Sequence, residues 1–126
     1  IEHGLLALIG IQAADRAASA TRLLERVLGY RVFPDDEGRM NRSLVGVAGG
    51  LLLVPQFTLA ADTRKGARAG FSTAAAPEAA QALFRHFVAE ARARHPLVAA
   101  GEFGAHMRVA LENDGPVTFW LEAHAS

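Results

Sequence analysis

Leu51-Leu52-Leu53-Val54-Pro55-Gln56-Phe57-Thr58-Leu59 is the stretch on which this chain turns. Its aliphatic half is too short for a stable helix and reads as a buried strand. Pro55 then intervenes, and a proline has no N–H to give to a ladder. The reading is a central strand from Leu51 to Leu59 that has an edge or a bulge at Pro55, or ends near it. Gln56 and Thr58 alternate with Phe57, so on a strand they share one face. Polar groups at the end of a core strand lie at the rim of a packed sheet, where binding sites are commonly built. The simpler alternative is that Gln56 and Thr58 satisfy each other or a nearby backbone group.

A second stretch, Asn113-Asp114-Gly115-Pro116-Val117-Thr118, separates the apolar runs Met107 to Leu111 and Val117 to Leu121. It reads as a turn between two strands. Gly115 can bring bare backbone close to a ligand, and only an X-Pro bond adopts cis at modest cost.

Outward from these stretches, Gly4 to Ile11 reads as a buried strand. A helix follows, capped by Asp15, with Ala17, Ala20, Leu24, Val27 and Leu28 as its apolar stripe and Gly29 at its end. Tyr30 to Phe33 reads as a short strand, Pro34 to Gly38 as a turn, and Met40 to Leu44 as an irregular approach to Gly49-Gly50. Ala60 to Ala76 is long enough to be a working loop. Pro77 opens a second helix with Ala80, Leu83, Phe84, Phe87, Val88 and Ala91 inward, and Arg85, Arg92, Arg94 and His95 on a basic, exposed face and end. Leu97 to Ala100 is a further strand. Strand, helix, strands, helix, strands is an α/β order in which helices pack on mixed sheets.

The 126 residues make a single domain, residues 1–126. Apolar residues are 51% and charged residues 21%, a globular balance. The formal net charge is zero, so any nucleic-acid contact needs a local basic patch. Arg64, Lys65 and Arg68 in the long loop are the candidates; their alternative reading is a solvated loop. The absence of Cys removes thiol nucleophiles and disulfides and fits a reducing compartment. Neither a membrane span nor a signal peptide is visible. His3, His86, His95, His106 and His124 are scattered, so neither a metal nor another cofactor is expected.

VPQFTLAAD (Val54 to Asp62) and NDGPVTFWL (Asn113 to Leu121) resemble the D-aminoacyl-tRNA deacylases. So do LLERVLGYRVF (Leu23 to Phe33), GRMNRSL (Gly38 to Leu44) and GEFGAHM (Gly101 to Met107), in order along almost the whole chain. The resemblance implies two mixed or antiparallel sheets with two packed helices in three layers. It also implies a cytoplasmic homodimer whose site lies at the subunit interface. The family carries an additional N-terminal hairpin, and Ile1 to Leu5 reads as the entry to the strand that follows it, so the expectation is that this sequence is a fragment or that its start is missing from it. The implied reaction is hydrolysis of the ester between a D-amino acid, or glycine mischarged on tRNA-Ala, and the terminal ribose of tRNA.

The same resemblance assigns the site. Gln56, Phe57 and Thr58 form the catalytic wall, with backbone N–H groups around Phe57 and Thr58 holding the carbonyl oxygen. A nucleophilic Thr needs an adjacent base, and none is near in sequence, so Thr58 takes a non-covalent role. Pro55, Gly115, Pro116, Val117 and Thr118 belong to substrate binding and chiral selection. In the family a Gly-cis-Pro pair enters the other subunit's pocket, where its backbone oxygens exclude an L side chain. Two departures stand out: Pro55 replaces the usual Ser, and Ala67 to Phe71 replaces Met-Arg-Pro-Ser-Phe. Pro55 also occurs in an animal branch of looser chirality. The alternatives are therefore a deacylase that tolerates some L-esters, or a catalytically weak module that binds the tRNA end.

Overall fold

The computed structural model describes residues 1–124. In chain order it contains β1 (Gly4–Ile9), α1 (Ala17–Gly29), β2 (Phe33–Pro34), β3 (Met40–Arg42), α2 (Leu44–Val47), β4 (Gly50–Pro55), a 3₁₀ turn (Phe57–Ala60), α3 (Pro77–Arg94) and β5 (Val98–Ala100). The main sheet has the order β1-β4-β5, with both pairs parallel. β2 and β3 form a separate antiparallel pair. Two sheets with packed helices is the expected α/β class, and the aliphatic run is its central strand.

Parallel strands need crossovers, and α1 and α3 lie within them. Leu24 of α1 and Leu51 and Leu53 of β4 are completely buried, and Phe84, Phe87 and Ala91 of α3 close over them. Pro77 stands in the first turn of α3, where its missing N–H costs nothing. Register begins at Gly4 opposite Gly50, and a Cβ on Gly4 would collide with the Gly50 carbonyl, so only glycine allows this approach.

Several local expectations are corrected. Asp15 does not cap α1: its Oδ2 accepts from the Gln12 N–H at 2.7 Å, and Ser19 Oγ instead accepts from the N–H of the capping Arg16 at 2.8 Å. Ala17 is exposed, because the helix meets the sheet only from Ser19 onward. The chain leaves α1 at Gly29 through an extended Tyr30 rather than a left-handed residue. Tyr30 to Val32 is not strand. Met40 to Leu44 is β3 followed by the start of α2, so what read as irregular is the second arm of a hairpin. Asp35 holds that hairpin turn, accepting from the N–H groups of Glu37 and Arg39 and from Asn41 Nδ2.

His95 is the largest reversal on the basic helix. It is buried, with Nε2 2.6 Å from the Gly49 carbonyl oxygen, and so ties the end of α3 to the entry of β4. The carbonyl requires Nε2–H as donor. His95→Ala is expected to destabilise the protein by about 1–3 kcal/mol, because it leaves that oxygen without its partner. An unchanged urea midpoint would contradict this.

Met107 to Leu111 and Val117 to Leu121 run without sheet partners among the described residues. From Ala110 onward this segment lies along an open groove of about 1700 Å³ beside β1, whose other edge pairs with β4. Arg26 of α1 anchors this segment by donating to the Glu122 carbonyl at 2.8 Å, and Tyr30 meets Phe119 at 5.6 Å between ring centroids. Among the described residues no helix is long and apolar enough to cross a membrane.

Candidate functional site

The site begins where β4 stops. Along β4, the N–H groups of Gly50 and Gln56 point to β1, bonding the carbonyls of His3 and Ile9, while that of Leu51 points to β5. Pro55 follows Leu51 and Leu53 in this alternation, so its missing donor falls on the β5 side. That is one step beyond the last pair, Leu53 with Ala100. The proline therefore ends the strand without breaking a ladder bond. Gly101 leaves room here: a Cβ would lie 2.7 Å from Met107 Sδ and 3.3 Å from Pro55 Cδ.

Beyond Pro55 the chain tightens into the 3₁₀ turn, so Leu51 to Leu59 is not one strand and strand alternation does not set the faces of Gln56 and Thr58. They meet across the start of the turn, with Gln56 Nε2 donating to Thr58 Oγ1 at 2.6 Å. The mutual satisfaction read from sequence is thus present. The Thr58 hydroxyl keeps its own hydrogen and a second lone pair for water or an ester oxygen. No His or carboxylate bonds to it among the described residues, so it has no base to make it a nucleophile.

The Leu59 N–H bonds the Gln56 carbonyl at 3.2 Å, which closes the turn. The N–H groups of Phe57 and Thr58 precede that bond. Like the leading N–H groups of any helix they have no partner within it, and among the described residues no backbone carbonyl takes them. Phe57 is 58% exposed, so this face is open. Two adjacent N–H groups beside a hydroxyl can hold an anionic oxygen and position a water.

The long loop is pinned to this turn. Thr73 Oγ1 donates to the Ala60 carbonyl at 2.6 Å, and Asp62 and Gly70 exchange backbone bonds of 2.7 and 2.9 Å. The loop also sets Phe71 against Phe57, with ring centroids 5.3 Å apart. Arg64 does not stand free. Its Nε and terminal nitrogen donate to the two oxygens of Asp62, each at 2.9 Å. Those side-chain bonds, joined by the Arg64 backbone N–H, draw the Asp62 carboxyl down to about 2 from 3.8. A lowered carboxylate favours the paired state above its ordinary titration range, and the pair is lost as pH falls through about 2. Carboxyl NMR is expected to find that low midpoint, and Arg64→Gln to return it towards 3.8. Lys65 and Arg68 are exposed on the same loop.

The second half of the candidate site is the 113–118 turn. Its Gly115-Pro116 bond is cis. Asn113 ties the turn twice: Oδ1 accepts from the Val117 N–H at 3.2 Å, and Nδ2 donates to Thr118 Oγ1 at 3.0 Å. Thr118 therefore serves the turn itself. The groove beside β1 is bordered by this turn and by Leu59 and Ala60, but not by Gln56, Phe57 or Thr58. Among the described residues no hydrogen bond or ring contact joins this turn to Gln56, Phe57 or Thr58 within one chain. The bracing role of Asn113 was not read from the sequence, although an Asn three residues before a Pro was a visible signal for it. Phe71 entered only as a residue shared with the family's Met-Arg-Pro-Ser-Phe block, and nothing in the spacing announced its contact with Phe57. Among the described residues no three His, Asp or Glu side chains converge as metal ligands would.

The fold and these turns define an α/β protein with a candidate site of main-chain groups at the carboxyl end of a parallel strand, where open α/β sheets bind their ligands. The chain belongs to the D-Tyr-tRNA(Tyr) deacylase family, whose model matches residues 1–122. It is 66% identical over 122 residues to the D-aminoacyl-tRNA deacylase of Thioalkalivibrio sulfidiphilus, covering 97% of this chain and 82% of that protein. The D-aminoacyl-tRNA deacylase of Azotobacter vinelandii is 65% identical over 123 residues, covering 98% and 85%. Among solved structures, the c-Myc DNA Unwinding Element Binding Protein superposes with a TM-score of 0.91 at 34% identity, covering 97% of this chain and 83% of that one.

Proposed function

We propose that this protein hydrolyses the ester bond of D-aminoacyl-tRNA, releasing the free D-amino acid and tRNA. As a member of a deacylase family it is a hydrolase of carboxylic esters. The observation that carries the mechanism is the open 3₁₀ turn, with the N–H groups of Phe57 and Thr58 unclaimed by backbone. They hold the ester carbonyl oxygen as water attacks and negative charge collects there. Thr58 Oγ, fixed by Gln56, orients the water or the neighbouring ribose hydroxyl. An aminoacyl ester is already labile, so positioning and oxyanion stabilisation suffice.

Gly115 and Pro116, with Val117 and Thr118 behind them, read the stereocentre. Since no hydrogen bond or ring contact joins the turn to Phe57 and Thr58 within one chain, the partner in this reading is a second copy, whose turn enters beside them. The twofold bracing by Asn113 supports a rigid loop that excludes an L side chain by main-chain contact. Pro55 limits the β5 side of the pocket, and Lys65 and Arg68, with Arg64 held by Asp62, approach tRNA phosphates. The working compartment in this reading is the cytoplasm.

The test is deacylation of D-tyrosyl- and L-tyrosyl-tRNA side by side, with Gln56→Ala and Thr58→Ala. Loss of the D ester alone, slowed in both variants, is expected. Loss of both esters would favour a looser deacylase, and tRNA binding without turnover a binding module. Full activity in both variants would remove the proposed wall.

A further inference from the structure

Phe71 lies outside the machinery described so far, yet the loop presents it deliberately. It is 47% exposed and its neighbour Phe57 is 58% exposed, so two large apolar rings face water rather than the core. They are 5.3 Å apart between centroids and tilted by 47°. Phe57 is held by the 3₁₀ turn, and Phe71 follows the Asp62–Gly70 bridge and precedes the Thr73 anchor to Ala60. The patch is therefore fixed on both sides by the elements that build the candidate site.

We infer that Phe71, backed by the ring of Phe57, is a stacking platform for an unpaired nucleobase of the tRNA acceptor end. The inference rests on the deacylase reading, since the ester to be cut sits at the end of an unpaired strand. Rings already in contact at 5.3 Å leave no slot between them, so the base stacks on the outer face of Phe71. Lys65 and Arg68 are exposed on the same loop, and a loop that carries both cations and exposed rings suits a polyanion with flat bases rather than an apolar peptide. Arg64 is occupied by Asp62 and contributes less net charge. Stacking of this kind tolerates any base, and so suits an enzyme that meets many tRNAs.

The test uses Phe71→Leu, which keeps apolar bulk without a ring, and Phe71→Trp, which keeps a ring. Binding is measured to an uncharged acceptor-stem RNA, intact or made abasic at each unpaired 3′ position in turn. Phe71→Leu is expected to weaken binding of the intact RNA about tenfold, and to have no effect on one of the abasic RNAs. Phe71→Trp retains wild-type binding. With D-tyrosyl-tRNA as substrate, Phe71→Leu raises KM about tenfold and leaves kcat within about twofold. No binding penalty, or an equal penalty on intact and every abasic RNA, overturns the platform. Failure of the wild type to deacylate would overturn the deacylase reading instead, and the binding arm still decides the platform.

Discussion

Gly115→Ala is expected to lower kcat/KM on D-tyrosyl-tRNA by about 100-fold or more. Gly115 has φ +153°, a conformation that L side chains rarely adopt. A Cβ there would lie 2.6 Å from Val117 Cγ2 and 2.7 Å from the Val117 nitrogen. The nitrogen is main chain and cannot swing away. It is also held by Asn113 Oδ1 at 3.2 Å, so relief requires moving the turn and breaking its brace. The loop is exposed, and the folded core does not depend on it. Activity should therefore fall far more than stability, and the preference for D over L esters should narrow. Steady-state kinetics on both esters, with a thermal melt as control, read this directly. Wild-type kinetics in Gly115→Ala would remove the turn from the site.

The second large effect concerns an N–H group rather than a side chain. Phe57→Pro is expected to reduce kcat by about 100-fold or more beyond Phe57→Ala, because only proline deletes the donor. Position 57 opens the 3₁₀ turn, where proline is tolerated. Gln56, at φ −139° and ψ 85°, already lies outside the helical region that a following proline forbids. Phe57→Ala removes the ring and keeps the N–H, so it isolates the stacking loss, which should fall on KM. If the two variants turned over equally, the Phe57 N–H would not face the developing charge.

Much of this architecture was legible in the residues. An aliphatic run interrupted by Pro55 gave the central strand, but left open whether the strand bulged or stopped there before Leu59. The stripes from Ala20 to Leu28 and from Ala80 to Ala91 named the helix faces that carry the core, because 3.6-residue periodicity survives whatever the helix packs against. The sites at Gln56 to Thr58 and Asn113 to Thr118 were found by resemblance, and composition alone would have ended at an α/β domain.

What the residues could not settle depended on neighbours remote in sequence. Whether Met107 to Leu111 and Val117 to Leu121 are strands turns on a partner for their backbone groups, and no local pattern supplies one. His95 read as part of a basic helix end because its partner, the Gly49 carbonyl, is far back in the chain and leaves no trace at position 95. Gln56 and Thr58 meet for a reason other than strand alternation: the chain tightens after Pro55, once the sheet has no further edge to offer. Sequence by itself determined the core strand, the helix faces and the polar residues at its end. Only tertiary structure decided which N–H groups stay open and which rings face water. It also decided that, among the described residues, no hydrogen bond or ring contact joins the two candidate half-sites within one chain. Each of these is a question of which distant atoms come within bonding range.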